Sequence, residues 1–318
     1  NALDGVVFRG TSGVQTMYVA LSTGNYWLFD GTTWTVSTVG AALRFCVIGN
    51  DLWKAYDTNK VIKNQVGAAA ASSDVAADWA GSISMGDFNV PITAITGFQD
   101  RLIVGKEDRL MTITKDATAV DQDLMSVPRD TENFKAMYFW DRYNLLLLPS
   151  LSGLQVMDTD FEFSPIGLER YLTNDSPVRG RVTAIVGDEW QIWCGITSPT
   201  NDVTLAIWQP ELDAWKPVYL VNASGVNIRT LGISDTHGNN RRLWWSLDPA
   251  PDYIILPRNT ANPMLDTACQ FQQGTGYKYY PRDFFGDFSH LKAWKGVRPI
   301  IEFTATGQIV TIEYRVLS

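Results

Sequence analysis

One feature constrains this chain more than any other. A short, almost wholly apolar run returns at intervals of roughly 40 to 50 residues: DLWKAY, RLIVG, YNLLLLP, EWQIWCG and RLWWSL. Runs this short, bounded by turn residues, are strands rather than helices. Unbroken apolar character means that both faces of each strand are buried. The surroundings repeat as well. A strand closes in a turn, often with Asp or Asn; the apolar strand follows, then a more alternating one, then in places an outer strand with Trp or Phe. AITGFQDRLIVGKEDRLMTIT, residues 94–114, shows this at its plainest, with apolar runs set around the charged turn Lys106-Glu107-Asp108-Arg109.

A four-stranded unit of this kind cannot cover its own faces and needs a neighbour on each side. The expected fold is therefore all-β: a β-propeller of five to six blades, seven at most, over residues 1–285. A many-stranded sandwich would alternate similarly but without the regular order. Within EWQIWCG, strand alternation sets Trp190, Ile192 and Cys194 on one side and Glu189, Gln191 and Trp193 on the other. In FDGTTW, Asp30-Gly31 predicts a tight hairpin turn.

Two regions break the pattern. Residues 65–82 are Ala-rich and interrupted by Ser72-Ser73-Asp74, which favours a loop or a single helical turn between blades. Residues 286–318 close on a hairpin with Gly307 in its turn, expected as the first strands of a second, sandwich-like β domain that is cut off. Its edge, Gln308, Val310, Ile312, Tyr314 and Val316, is a candidate for strand addition. The chain opens on Asn rather than Met, as expected of a processed product or a piece of a longer protein.

PITAITGFQDRLIVGKEDRLMTIT, FWDRYNLLLLPSLSGLQVMD and FSHLKAWKGVRPIIEFTATGQIVTIEYRV together resemble the propeller-bearing structural proteins of tailed bacteriophage virions. The resemblance lies in the texture and order of strands rather than in a diagnostic motif. It implies a virion component, tail-associated, that docks on other virion proteins, on copies of itself or on a host-surface glycan.

Composition narrows the chemistry. A net charge of −8 argues against a phosphate-binding surface, so no nucleic-acid partner is expected. No apolar run approaches the ~20 residues of a membrane-spanning helix, and no membrane insertion is expected. Cys46, Cys194 and Cys269 form neither a disulfide framework nor a metal set, and the first two sit in apolar runs. The two histidines, His237 and His290, have no partners at catalytic or metal-binding spacing. Asp121 and Asp123, like Asp158 and Asp160, do not continue into the oxygen-rich loop that calcium needs. A sialidase pattern would separate Asp30 from Gly31 and follow Arg9 with Ile-Pro; neither holds. The expectation is no cofactor, no metal and no catalysis. A glycan-binding propeller is the alternative, and a propeller glycoside hydrolase a more distant one. Trp34, Trp79, Trp140, Trp215 and Trp244 are the candidate aromatics for glycan or partner contact, against the plainer role of filling space between strands.

Overall fold

The computed structural model describes residues 2–64, 74–116, 122–167, 180–197, 203–221, 227–235, 241–247 and 250–256. They form six antiparallel sheets, the blades of a β-propeller. Blade 1 holds β1 (Ala2–Arg9), β2 (Gln15–Leu21), β3 (Trp27–Phe29) and β4 (Trp34–Val36). Blade 2 holds β5 (Arg44–Ile48), β6 (Asp51–Tyr56), β7 (Lys60–Asn64) and β8 (Trp79–Ser84). Blade 3 holds β9 (Ile92–Phe98), β10 (Arg101–Lys106), β11 (Arg109–Thr114) and β12 (Gln122–Ser126). Blade 4 holds β13 (Tyr138–Trp140), β14 (Leu145–Ser150), β15 (Gly153–Met157) and β16 (Phe163–Pro165). Blade 5 holds β17 (Arg181–Gly187), β18 (Ile192–Thr197), β19 (Val203–Gln209) and β20 (Ala214–Val221). Blade 6 shows β21 (Leu231–Ser234), β22 (Arg242–Leu247) and β23 (Ala250–Ile255).

Each blade is a meander in chain order, and the recurring apolar runs are its second strands: β6, β10, β14, β18 and β22. Helix among the described residues is limited to single turns, including one at Ala76–Asp78 in the Ala-rich region. The expected second domain at 286–318 lies outside the described residues, with its edge positions Gln308, Val310, Ile312, Tyr314 and Val316. Cys269, His237, His290 and Asp121 lie outside them too.

The second strands are apolar throughout because their two faces serve two different cores. From β10, Leu102 and Val104 join a core shared with blade 2, while Ile103 joins one shared with blade 4. Leu146 and Leu148 of β14 face blade 3, and Leu147 faces blade 5. In β18, Ile192, Cys194 and Ile196 face blade 4 while Trp193 faces blade 6. Five such cores join the six blades in succession among the described residues. Each fully buried Leu or Ile contributes about 1.5–3 kcal/mol.

First strands of successive blades lie against one another, β1 on β5, β5 on β9, β9 on β13, β13 on β17 and β17 on β21. Glycines permit that approach. A Cβ on Gly187 would stand 2.6 Å from the Trp140 ring, whose indole N–H donates to the Asp188 carbonyl at 2.7 Å.

Polar groups complete the seams. The charged turn read in the sequence is half interior: Lys106 and Glu107 are both buried, while Asp108 and Arg109 reach the surface. The Lys106 ammonium donates to the carbonyls of Met85 and Asp87, tying blade 3 to the connection from blade 2. The Glu107 carboxylate pairs with Arg129 at 2.8 Å, and its carbonyl accepts from Asn133 Nδ2 at 2.6 Å. Asn133 Oδ1 in turn accepts from the Leu151 amide in blade 4, and Asp130 accepts from Arg181 of blade 5 at 2.8 Å. Asp30 closes the expected hairpin, accepting from the amides of Thr32 and Thr33 at 2.9 and 2.8 Å. Those amide donors hold its carboxyl below the usual range.

Gly187→Ala is expected to destabilise the protein by about 1–3 kcal/mol, because the indole of Trp140 cannot give way without moving the seam. Gly232→Ala, where an added Cβ meets nothing within 4 Å, serves as the control. Urea midpoints check this, and equal midpoints for the two variants would remove the seam argument.

Candidate functional site

The structure scatters the five candidate tryptophans. Trp79 and Trp140 are interior and present no face to a ligand. Trp79 donates to Asp74 at 3.2 Å and packs edge-on against Tyr26. Trp215 is partly buried and ties β20 to the Ile166 carbonyl at 2.8 Å. Trp244 is partly buried beside Tyr253, 4.6 Å between ring centroids, with the Arg242 guanidinium 5.6 Å from its own ring. These four were read from aromatic content alone, and strand aromatics mostly pack.

Trp34 is different. It is about half exposed and belongs to a continuous apolar face on blade 1. Leu3, Val7, Met17, Trp27, Trp34 and Val36 keep 37–50% of their surface open. Register makes them one patch: Val7 pairs with Met17, Met17 with Phe29, Phe29 with Trp34, and Trp27 with both Val19 and Val36. Phe29 and Trp34 stack at 4.7 Å, and Trp27 lies 6.1 Å from Trp34. The reverse face of the same strands, Phe8, Tyr18 and Leu28, is buried against blade 2. Hence β2 alternates buried and exposed, unlike the other described second strands up to blade 5, which are buried almost throughout.

Beneath this face lies the most unusual interior chemistry of the described residues. Asp74 is buried and accepts from the Tyr26 hydroxyl, from Ser37 Oγ at 2.7 Å and from the Trp79 indole. The Lys54 ammonium sits 4.6 Å from the Tyr26 ring centroid and 4.2 Å from that of Trp79. Burial pushes its pKa down to about 8, partly offset by the Asp74 carboxylate. Burial and the same carboxylate push the Tyr26 phenol well up. The two hydroxyls and the indole satisfy Asp74, and the Lys54 ammonium lies over two of the same rings, so the cluster ties blade 1 to blade 2.

The remaining sequence candidates have structural duties. Asp123 pairs with Arg109 at 3.2 Å, and Asp158 accepts from the amides of Asp160 and Glu162, closing a turn. Cys46 and Cys194 are buried free thiols, raised in pKa by burial. No group of three or more His, Cys, Asp or Glu that could hold a metal occurs among the described residues.

No protein-family profile matches the chain, and no curated protein does. Solved structures do. The extracellular domain assigned to a one-component system of B. thetaiotaomicron aligns at 13% identity and a TM-score of 0.56, over 81% of this chain and 34% of that one. A mitotic checkpoint complex chain aligns at 12% identity and 0.53, over 79% of this chain and 75% of that one. At such identities the likeness is one of fold alone: these are propellers built on the same plan.

Lys54 makes the joint pH-dependent. Its folded pKa lies below its unfolded value, so between about pH 8 and 10 the unfolded chain binds the extra proton and stability rises with pH. Tyr26, Cys46 and Cys194, all raised, pull the other way at the alkaline end. The expected reading is therefore a difference: wild type gains on the order of 1–2 kcal/mol relative to Lys54→Met across that window. Urea denaturation at pH 7.5 and 9.5 measures it, and parallel behaviour of the two proteins would count against a desolvated ammonium.

Proposed function

We propose that this chain works without catalysis, as a rigid docking part of a bacteriophage particle associated with its tail. The observation that carries the reading is the apolar face that blade 1 turns away from blade 2, which the other described blades leave uncovered. Contiguous apolar patches rimmed by polar residues are characteristic of surfaces that meet a partner. Here the patch centres on Trp27, Phe29 and Trp34, the residue types that dominate the cores of protein interfaces. Stiffness supports the same role. A strand row backed by a packed seam keeps its shape on docking, so little conformational freedom is lost in the encounter. The partners are other proteins of the particle or further copies of the chain, and the resemblance to tail-associated virion proteins supplies the setting.

Two measurements test this. Quantitative mass spectrometry of particles purified from the source is expected to find the chain in fixed ratio to capsid and tail proteins; recovery only as a free protein would sink the virion setting. A Trp27→Ser, Trp34→Ser double variant is expected to keep its urea midpoint while its incorporation falls at least about tenfold, as loss of two aromatic anchors implies. Normal incorporation of that variant would show that the face does not dock.

A further inference from the structure

The outer edge of blade 1 has a property that blades 2 to 5 lack. β4 is the end strand of its sheet, and among the described residues no strand pairs with its far side. Such edges invite pairing, and folded proteins blunt them with Pro, charge or bulges. The outer strands of blades 2 to 5 are blunted in this way. β8 bulges at Gly81, which sits at φ +72°. β12 carries the charged Asp123 next to a register shift. β16 ends on Pro165, and β20 carries Pro217 beside a further shift. By contrast, β4 pairs with β3 without a shift, and no charged residue or Pro occurs from Gly31 to Leu43. We propose that β4 pairs antiparallel with β4 of a second copy of this chain, joining two blade 1 sheets into one.

The backbone supplies the pairing groups. The β3–β4 ladder runs past the ends of both strands: the Asp30 amide donates to the Thr33 carbonyl at 3.4 Å, and the Ser37 amide to the Tyr26 carbonyl at 2.9 Å. Antiparallel bonding alternates along a strand. Thr33, Thr35 and Ser37 therefore turn their backbone groups toward β3, while Trp34 and Val36 turn theirs outward. A two-fold axis at Thr35 sets Trp34 opposite Val36 of the second copy, and each such pair exchanges both of its hydrogen bonds. Opposite residues share a face, so the apolar faces of the two copies lie on one side of the joined sheet. Trp34, 49% exposed, then stands beside the second copy's Val36, 47% exposed.

The charge pattern suits a second copy. A net charge of −8 sets two chains against each other, yet this edge contributes none of it. Asp30 is the carboxylate next to the strand in sequence, and the two-fold sends the two Asp30 side chains to opposite ends, each across from the uncharged Gly40. Every residue from Thr32 to Val39 except Ser37 is Thr, Val or Trp, the types that strands favour. A contact of this symmetry closes on two copies and does not grow into a fibre. It deepens the docking reading, on which it rests for the class of partner, because the joined sheet doubles the apolar face that blade 1 offers.

The test uses the full chain in solution. A contact this small binds weakly, so sedimentation velocity is expected to show monomer passing to dimer between about 1 and 200 µM. Over the same range, hydrogen exchange at the Trp34 and Val36 amides is expected to slow. Val36→Pro removes an outward N–H and no bond to β3; it is expected to keep its urea midpoint in dilute solution while dimerisation weakens by about tenfold or more. At Thr35 the two-fold brings the two Cα atoms to about 4.5 Å, so Thr35→Cys is expected to form an interchain disulfide on mild oxidation that wild type does not. That variant carries the test should Val36→Pro not fold. The proposal is overturned if the chain stays monomeric throughout, if Val36→Pro dimerises as wild type does, or if Thr35→Cys cross-links no more than wild type. Equal protection of the two amides at every concentration would also overturn it, by assigning the edge to another segment of the same chain. A monomer whose Trp27→Ser, Trp34→Ser variant fails to incorporate removes the pairing alone; a dimer whose variant incorporates normally upholds the pairing and removes the docking reading.

Discussion

A blade has two apolar faces and no core of its own, and everything else in this structure follows from that. Burial of the second strands on both faces obliges each blade to find a neighbour, and the alternation of Leu102, Ile103 and Val104 between two different cores is the smallest instance of the rule. Hydrophobic burial is non-directional, so it brings blades together without setting their spacing. Spacing comes from close approaches such as Gly187 against Trp140 and from hydrogen bonds that accept only one geometry.

The polar seams divide that work sensibly. Buried polar groups are costly when unpaired and specific when paired. Lys106 on two carbonyls, Asn133 with its donors and acceptor all engaged, and Asp74 with three donors each lock one blade to the next connection. Asp130 with Arg181 carries the same linkage on to blade 5. Each described blade is thus tied to its neighbours by polar contacts as well as by apolar packing.

The blade 1 face is broad, apolar and formed by strands, so it suits a protein surface that buries it entire. Turns at one end of a propeller are free to vary because the sheets beneath them supply the stability.

Much of the architecture was legible in the chain itself. The second strands, the turn at Asp30-Gly31 and the division of Ile192 and Cys194 from Trp193 all follow from alternation within a short run, which the backbone imposes locally. Function was less so. Trp190 reads as part of a strand with Ile192 and Cys194, yet the strand begins at Ile192 and Asp188 turns the preceding residues outward. Trp79 and Trp140 look as available as Trp34, and Lys106 and Glu107 read only as half of a charged turn, yet all four are buried. Local periodicity thus determined which residues share a face of a strand. Only the tertiary structure decided which of those faces meets water, because that depends on neighbours one blade away in sequence.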